Sequence, residues 1–106
     1  MKYQIRYSAK AIKDMQSLDR SIQERVAKAI KKVSVNPLPD YEGGYGKPLG
    51  RKGNNNLTGF LKIKLKSDGI RIVYKLIKRD DIMYIIVIGT RADNDVYNEA
   101  KKGING

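Results

Sequence analysis

Apolar and polar positions alternate most strictly between residues 57 and 77. In the first half, Leu57, Leu61, Ile63 and Leu65 fall on one side of an extended chain, and Phe60, Lys62, Lys64 and Lys66 on the other. A strand sends successive side chains to opposite faces, so the first set belongs in a core and the second stands in a row. Ser67-Asp68-Gly69 is a turn signal, after which Ile70, Ile72, Tyr74 and Leu76 oppose Arg71, Val73, Lys75 and Ile77. The pattern predicts a hairpin. Lys78-Arg79-Asp80-Asp81 makes a second turn, and 82–89 (IMYIIVIG) is apolar on both faces, as in a central strand. Its alternation assigns Ile82, Tyr84, Ile86 and Ile88 to a helix-covered face. Met83, Ile85 and Val87 then stand on the other face, beside Val73 and Ile77. An apolar patch next to a cationic row needs a cover, either the chain's own C-terminal segment or a partner.

Nearer the N-terminus, Tyr3, Ile5 and Tyr7 alternate with Lys2, Gln4 and Arg6, which reads as a short strand. Ser8 suits the N-cap of a helix through about Leu18, with Ala11, Ile12, Met15 and Leu18 at helical spacing. A second helix starts at Asp19 or Ser21, where Ser21 and Glu24 fit a capping box. Its stripe is Ile22, Val26, Ala29, Ile30 and Val33, and Asn36-Pro37 ends it. Positions 36–56 are rich in Gly, Pro and Asn without sustained periodicity and read as a long loop. Asp93 or Asn94 can cap a last short helix through about Lys102, with Gly103 as its stop. The expectation is a single two-layer α+β domain: an N-terminal strand, an antiparallel helical hairpin, then a three-stranded antiparallel meander. The first strand should lie beside the last, and a short C-terminal helix should follow.

Charge changes the picture. The 106 residues carry a net +11, unevenly spread. Residues 1–46 hold nine basic and five acidic side chains, whereas 47–79 hold ten basic and one acid, Asp68. Residues 80–106 are net negative, with three basic and five acidic groups. A solvated sheet face or a protected edge also carries lysines, but it usually mixes signs. So concentrated an excess suits a polyanion, with nucleic acid first. Neither helix opposes a basic face to a bulky aromatic one, and the apolar run 82–88 is too short to span a bilayer. The N-terminus lacks the apolar segment of a signal peptide, so a cytoplasmic protein is expected. Cysteine and histidine are both absent. That removes thiol nucleophiles, thiolate metal sites and the usual imidazole base, leaving lysine, arginine, tyrosine and carboxylates for any chemistry.

The segments KIKLKSDGIRIVYKLI and IVIGTRADNDVYNEA, with the opening YSAKAIKDMQSLD and the NP after the second helix, resemble the RelE/ParE toxins of bacterial type II toxin–antitoxin systems, and within them the RelE branch. The resemblance covers nearly the whole chain. It implies an active site of Lys62, Lys64, Arg71, Arg91 and Tyr97: two strand lysines, an arginine after the turn, an arginine past the last strand, and a tyrosine six residues on. It also implies a metal-independent endoribonuclease, an mRNA interferase cutting messenger RNA in the A site of the 70S ribosome. No cofactor or metal is implied. Lys47, Arg51 and Lys52 in the loop, with Lys66 and Lys75, are expected to contact RNA phosphates. The stretch RKGNNN makes the approach to the hairpin longer than in RelE. A RelB-like antitoxin with an acidic amphipathic segment is the expected protein partner.

The chemistry has a physical basis independent of the resemblance. Attack of a 2′-OH on the adjacent phosphate needs a proton acceptor, a stabiliser of the doubly charged phosphorane, and a donor for the leaving 5′-oxygen. Clustered cations favour the phosphorane over the ground state. They also disfavour one another's charge, which moves a lysine toward use as a base. Lys64 or Lys62 is the candidate base. Arg71 would grip the scissile phosphate with its planar fork, Arg91 would sit by the leaving oxygen, and Tyr97 would orient the nucleophile or stack on a base. Two other functions fit the same residues: a ParE-like toxin acting on DNA gyrase without nuclease activity, and a non-enzymatic RNA-binding protein.

Overall fold

The computed structural model describes residues 3–52 and 55–89; the side chains at 51, 52, 55 and 56 are not among them. The elements run β1 (Gln4–Tyr7), α1 (Ala9–Gln16), α2 (Arg20–Ser34), β2 (Lys47–Pro48), β3 (Arg51–Lys52), β4 (Asn55–Asn56), β5 (Phe60–Leu65), β6 (Ile70–Ile77) and β7 (Ile82–Gly89). The last helix expected from the sequence, together with Arg91 and Tyr97, lies outside the described residues.

Five strands form one sheet in the order β1-β7-β6-β5-β2. The meander β5-β6-β7 is antiparallel throughout, and β1 adds to it in parallel, pairing Gln4 with Ile82 and Tyr7 with Ile85. The expected meander is therefore the centre of a wider sheet. Its fifth strand comes from the segment read as a loop, which also carries the two-stranded β3-β4 ribbon. Two of the three prolines in the chain sit at Pro37 and Pro48, flanking that segment's first half, and no periodicity announces a strand of two residues.

Helix α1 packs on β7, and α2 packs on β5 and β1. Ser8 caps α1 by accepting from the Ala11 N–H at 3.0 Å, as its position predicts. Helix α2 starts at Arg20 with Asp19 as N-cap, and Asp19 makes no side-chain capping bond, so the Ser21–Glu24 box is not used. Gln23 instead donates to the Met15 and Leu18 carbonyls at 2.8 and 3.1 Å, which satisfies the end of α1 and ties the two helices together. Between the helices and the sheet lies the main core, where Val26, Ile30 and Val33 meet Leu61, Ile63, Ile70, Ile72, Tyr74, Met83, Ile85 and Ile88.

A second, smaller cluster stands on the opposite face: Leu49, Leu57, Phe60, Val73, Ile86 and Val87, with Tyr84 against it. Two expectations are corrected here. Leu57 joins this outer cluster, not the core, because Gly59 at φ +94° breaks the alternation and the strand begins only at Phe60. In β7 the sides are exchanged over most of the strand: Met83 and Ile85 face the helices, while Tyr84 and Ile86 face outward. The cause is a bulge. Val73 pairs with Val87 and Tyr74 with Ile85, so Ile86 is one residue too many. Beyond it Val87 and Ile88 take the sides that the alternation assigned them.

The bulge is stitched to α1. Ser8 donates its N–H to the Ile85 carbonyl at 2.9 Å and its hydroxyl to the Ile86 carbonyl at 2.7 Å. Asp14 accepts from the Ile88 N–H at 3.0 Å. Those at Ile86 and Ile88 serve β7 backbone groups beyond the end of β1, where no strand among the described residues pairs with that edge. No helix among the described residues is long and apolar enough to cross a membrane.

Candidate functional site

The outer face of the sheet holds the basic row. Lys64 lies directly across from Arg71, Lys62 across from Val73, and Phe60 across from Lys75. On the other side of β5, Lys47 lies across from Lys62. Residues paired in this way have Cβ atoms about 5 Å apart, and successive same-face residues along a strand are about 7 Å apart. Lys47, Lys62, Lys64 and Arg71 thus form a compact quadrilateral at one end of the face. Lys64 is exposed, and Lys62 and Arg71 are half-buried. Two of its sides are like-charge pairs directly across strands, an arrangement that costs stability.

Beside the quadrilateral is a cavity of about 240 Å³ lined by Lys64, Leu65, Lys66, Gly69, Ile70 and Arg71. Lys66 belongs to the 3-10 turn Lys66–Asp68 and not to the strand, so it borders this cavity from the hairpin tip instead of continuing the row. Gly69 closes that turn at φ +65°, a left-handed conformation open to glycine at little cost. Lys75 is farther away, with its ammonium 5.9 Å from the centre of the Tyr84 ring. That cation–π contact holds it at the opposite end of the face. Arg51 and Lys52 occur in the β3-β4 ribbon, paired across from Asn56 and Asn55.

Among the described residues, Asp68 is the acid of the hairpin itself, and it is engaged elsewhere. Asp68 receives two hydrogen bonds from Arg25 of α2, from Nε at 2.8 Å and Nη2 at 2.7 Å. This bidentate pair holds the Asp68 carboxyl below the usual carboxylate range through the hydrogen bond first, and raises the Arg25 guanidinium in the same way. The Asp68 side chain is only 11% exposed. Arg25 therefore both neutralises Asp68 and fastens the hairpin tip to the helical layer. The sequence reading missed Arg25, since 43 positions separate it from its partner.

The face is framed by a buried tie. Tyr74 donates its hydroxyl to the Pro37 carbonyl at 2.8 Å, and burial pushes its phenol well above the ordinary range. Gly46 lies against the same hydroxyl and against Leu61, where a Cβ would overlap both. The tie fixes the segment that delivers Lys47 beside Lys62.

The chain can be compared with known proteins. Residues 5–95 match the family described as ParE toxin of type II toxin-antitoxin system, parDE. A putative RelE-like toxin protein of Escherichia coli is 36% identical, over 96% of this chain and 97% of the relative. The mRNA interferase toxin RelE of E. coli K12 is 30% identical, over 98% and 99%. Among solved structures, a doubly substituted E. coli RelE in the free state superposes with a TM-score of 0.75 at 27% identity, over 98% of this chain and 99% of that one. The same toxin variant in complex with a peptide of the antitoxin RelB matches with a TM-score of 0.68 at 26% identity, over 94% and 95%.

Proposed function

The chain belongs to the RelE/ParE superfamily of toxins of type II toxin–antitoxin systems, and from that membership we propose that it is a ribosome-dependent endoribonuclease inhibiting translation by cutting mRNA in the A site. The observation that carries this reading is the pair of like-charge contacts, Lys47 across from Lys62 and Lys64 across from Arg71, on one rigid face. Repulsion built into a sheet is relieved when an anion sits between the charges, and most when that anion gains charge in a transition state.

In the proposed reaction the 2′-oxygen forms a bond to the adjacent phosphorus and the bond from phosphorus to the 5′-oxygen breaks. The products are a 2′,3′-cyclic phosphate and a 5′-hydroxyl. Lys64 or Lys62 accepts the 2′-OH proton. Arg71, across from Lys64, binds the phosphate oxygens as the phosphorane forms. Arg91 stands at the leaving 5′-oxygen and donates the proton that completes the 5′-hydroxyl, and Tyr97 stands beside the nucleophile. Lys47 and Lys66 flank these groups and hold neighbouring phosphates; Arg51 and Lys52 extend that contact, and Lys75 lies at its far margin. A site without a strong base of ordinary pKa relies on alignment of the RNA by the ribosome, which can supply several kcal/mol. The protein partner is a RelB-like antitoxin, in line with the RelE–RelB peptide complex.

Mapping mRNA 5′ ends after incubation with translating ribosomes tests the reading. Codon-phased cuts are expected, and they should vanish when Arg71 and Tyr97 are replaced by Ala and Phe. Persisting cuts would overturn the site assignment. The matched family description names ParE, so gyrase is the second target to assay. Loss of supercoiling with mRNA intact would favour that function instead.

A further inference from the structure

A second cationic feature lies around the edge from the quadrilateral. Strand β2 covers β5 only at Leu61 and Lys62, and past that point β5 borders a groove of about 620 Å³ against α2. Lys28 and Lys32 of α2 form one wall and Lys64 the other; Val33 and Ile63 lie between them, and Tyr45 stands at the rim. Among the described residues no carboxylate lines it. Lys28 and Lys32 are one helical turn apart, about 6 Å along the axis. That is close to the distance between successive phosphates of an extended strand. Tyr45 is 57% exposed, a large aromatic surface left in solvent. Cations tracking a backbone beside an exposed aromatic ring are the ingredients of a single-strand site.

Continuity decides what the groove is for. Lys64 and Leu65 border both this groove and the cavity at the hairpin tip. A ligand whose phosphate lies between Lys64 and Arg71 can therefore pass over the edge of β5 without leaving a basic surface. We propose that the groove between α2 and β5 binds a single-stranded stretch of RNA continuing from the scissile phosphate, with Lys28 and Lys32 on its phosphates and Tyr45 stacked on a base. The identity of that strand rests on the endoribonuclease reading; the groove's affinity for RNA does not. An acidic peptide is the other polyanion of suitable size. Lysines on both walls of a groove that continues from the phosphate site, with an exposed aromatic ring at its rim, favour RNA.

The test uses the full chain and fluorescent 2′-O-methyl RNA, which cannot be cut by 2′-OH attack. Binding of a 4-mer and a 12-mer is followed by anisotropy from 50 to 300 mM salt. The wild type should hold the 12-mer more tightly. Lys28→Gln with Lys32→Gln should weaken the 12-mer about tenfold or more and leave the 4-mer unchanged. The same pair should flatten the plot of log K against log salt by about 1.4, at roughly 0.7 per lost phosphate contact. Tyr45→Ala should weaken the 12-mer by about tenfold with the slope unchanged, because stacking carries no charge. Circular dichroism melts confirm that each variant folds. Unchanged affinity and slope would overturn the proposal, as would variants that keep RNA but lose a polyglutamate peptide. Failure of the wild type to cut ribosome-bound mRNA would overturn the enzymatic reading and leave this binding result standing.

Discussion

Replacing Tyr74 with Phe removes one oxygen and nothing else from the middle of the sheet. The lost hydrogen bond to the Pro37 carbonyl is 2.8 Å long, and both residues are fully buried, so water does not replace it without rearrangement. A buried carbonyl stripped of its donor costs about 1–3 kcal/mol. In a domain of this size each kcal/mol moves Tm by about 4–8 °C, so a fall between about 4 and 24 °C is expected. Gly46 supplies the control. Its φ lies outside the left-handed region, so Gly46→Ala tests space and not backbone strain. The added methyl meets the Tyr74 hydroxyl, the Leu61 side chain and the Pro37 carbonyl, an overpacking worth about 1–3 kcal/mol. In the Tyr74→Phe background one of those three obstacles is gone. The double variant should therefore be more stable than the sum of the singles by at least about 0.5 kcal/mol. Urea unfolding followed by circular dichroism measures all four corners, with unchanged m-values as the condition for comparing them. Additivity within about 0.3 kcal/mol would refute the claim that Gly46 is required by the hydroxyl.

The same hydroxyl sets an alkaline limit. Burial raises the Tyr74 phenol above its unfolded value, so its contribution is complete below about pH 10 and is lost as pH rises through that value toward the folded one. Tyr74→Phe should lessen the loss of stability above about pH 10, with a smaller dependence remaining from Tyr7, also raised by burial. At the acid end Asp68 has the opposite sign. Its lowered carboxyl stabilises above about pH 4, and the advantage over Asp68→Asn should disappear as pH falls from there. Arg71→Ala should cut ribosome-dependent cleavage by about 10²–10³-fold, the usual effect of removing one charge-stabilising donor, and stopped-flow or primer-extension rates would read it. Ser8→Ala removes the α1 cap and the bond to the Ile86 carbonyl together, and a loss of about 1–2 kcal/mol is expected in the same urea titration.

Alternation made β5 and β6 legible, and with them the placement of Lys62, Lys64 and Arg71 on one face. It failed in β7 for a definite reason. A run that is apolar on both sides contains no polar residue to mark where the phase slips, and the bulge at Ile86 leaves no Gly or Pro as a sign. Leu57 was misplaced because the kink at Gly59 resets the count before the strand starts. Strand β2 is two residues long, and its second is a proline; only its partner, β5, makes it a strand. Arg25, Lys28 and Lys32 read as the solvated side of an amphipathic helix, and in sequence they are that. Their proximity to Asp68 and Lys64 is a product of how α2 lies on the sheet, which no local pattern encodes.

The two repelling pairs have a consequence for anyone engineering this protein. Threonine suits an exposed strand position better than lysine does, and at position 64 it would also remove the like charge across from Arg71. Such a variant should melt higher than the parent. A selection that rewards yield or heat resistance alone will therefore tend to erode the basic row.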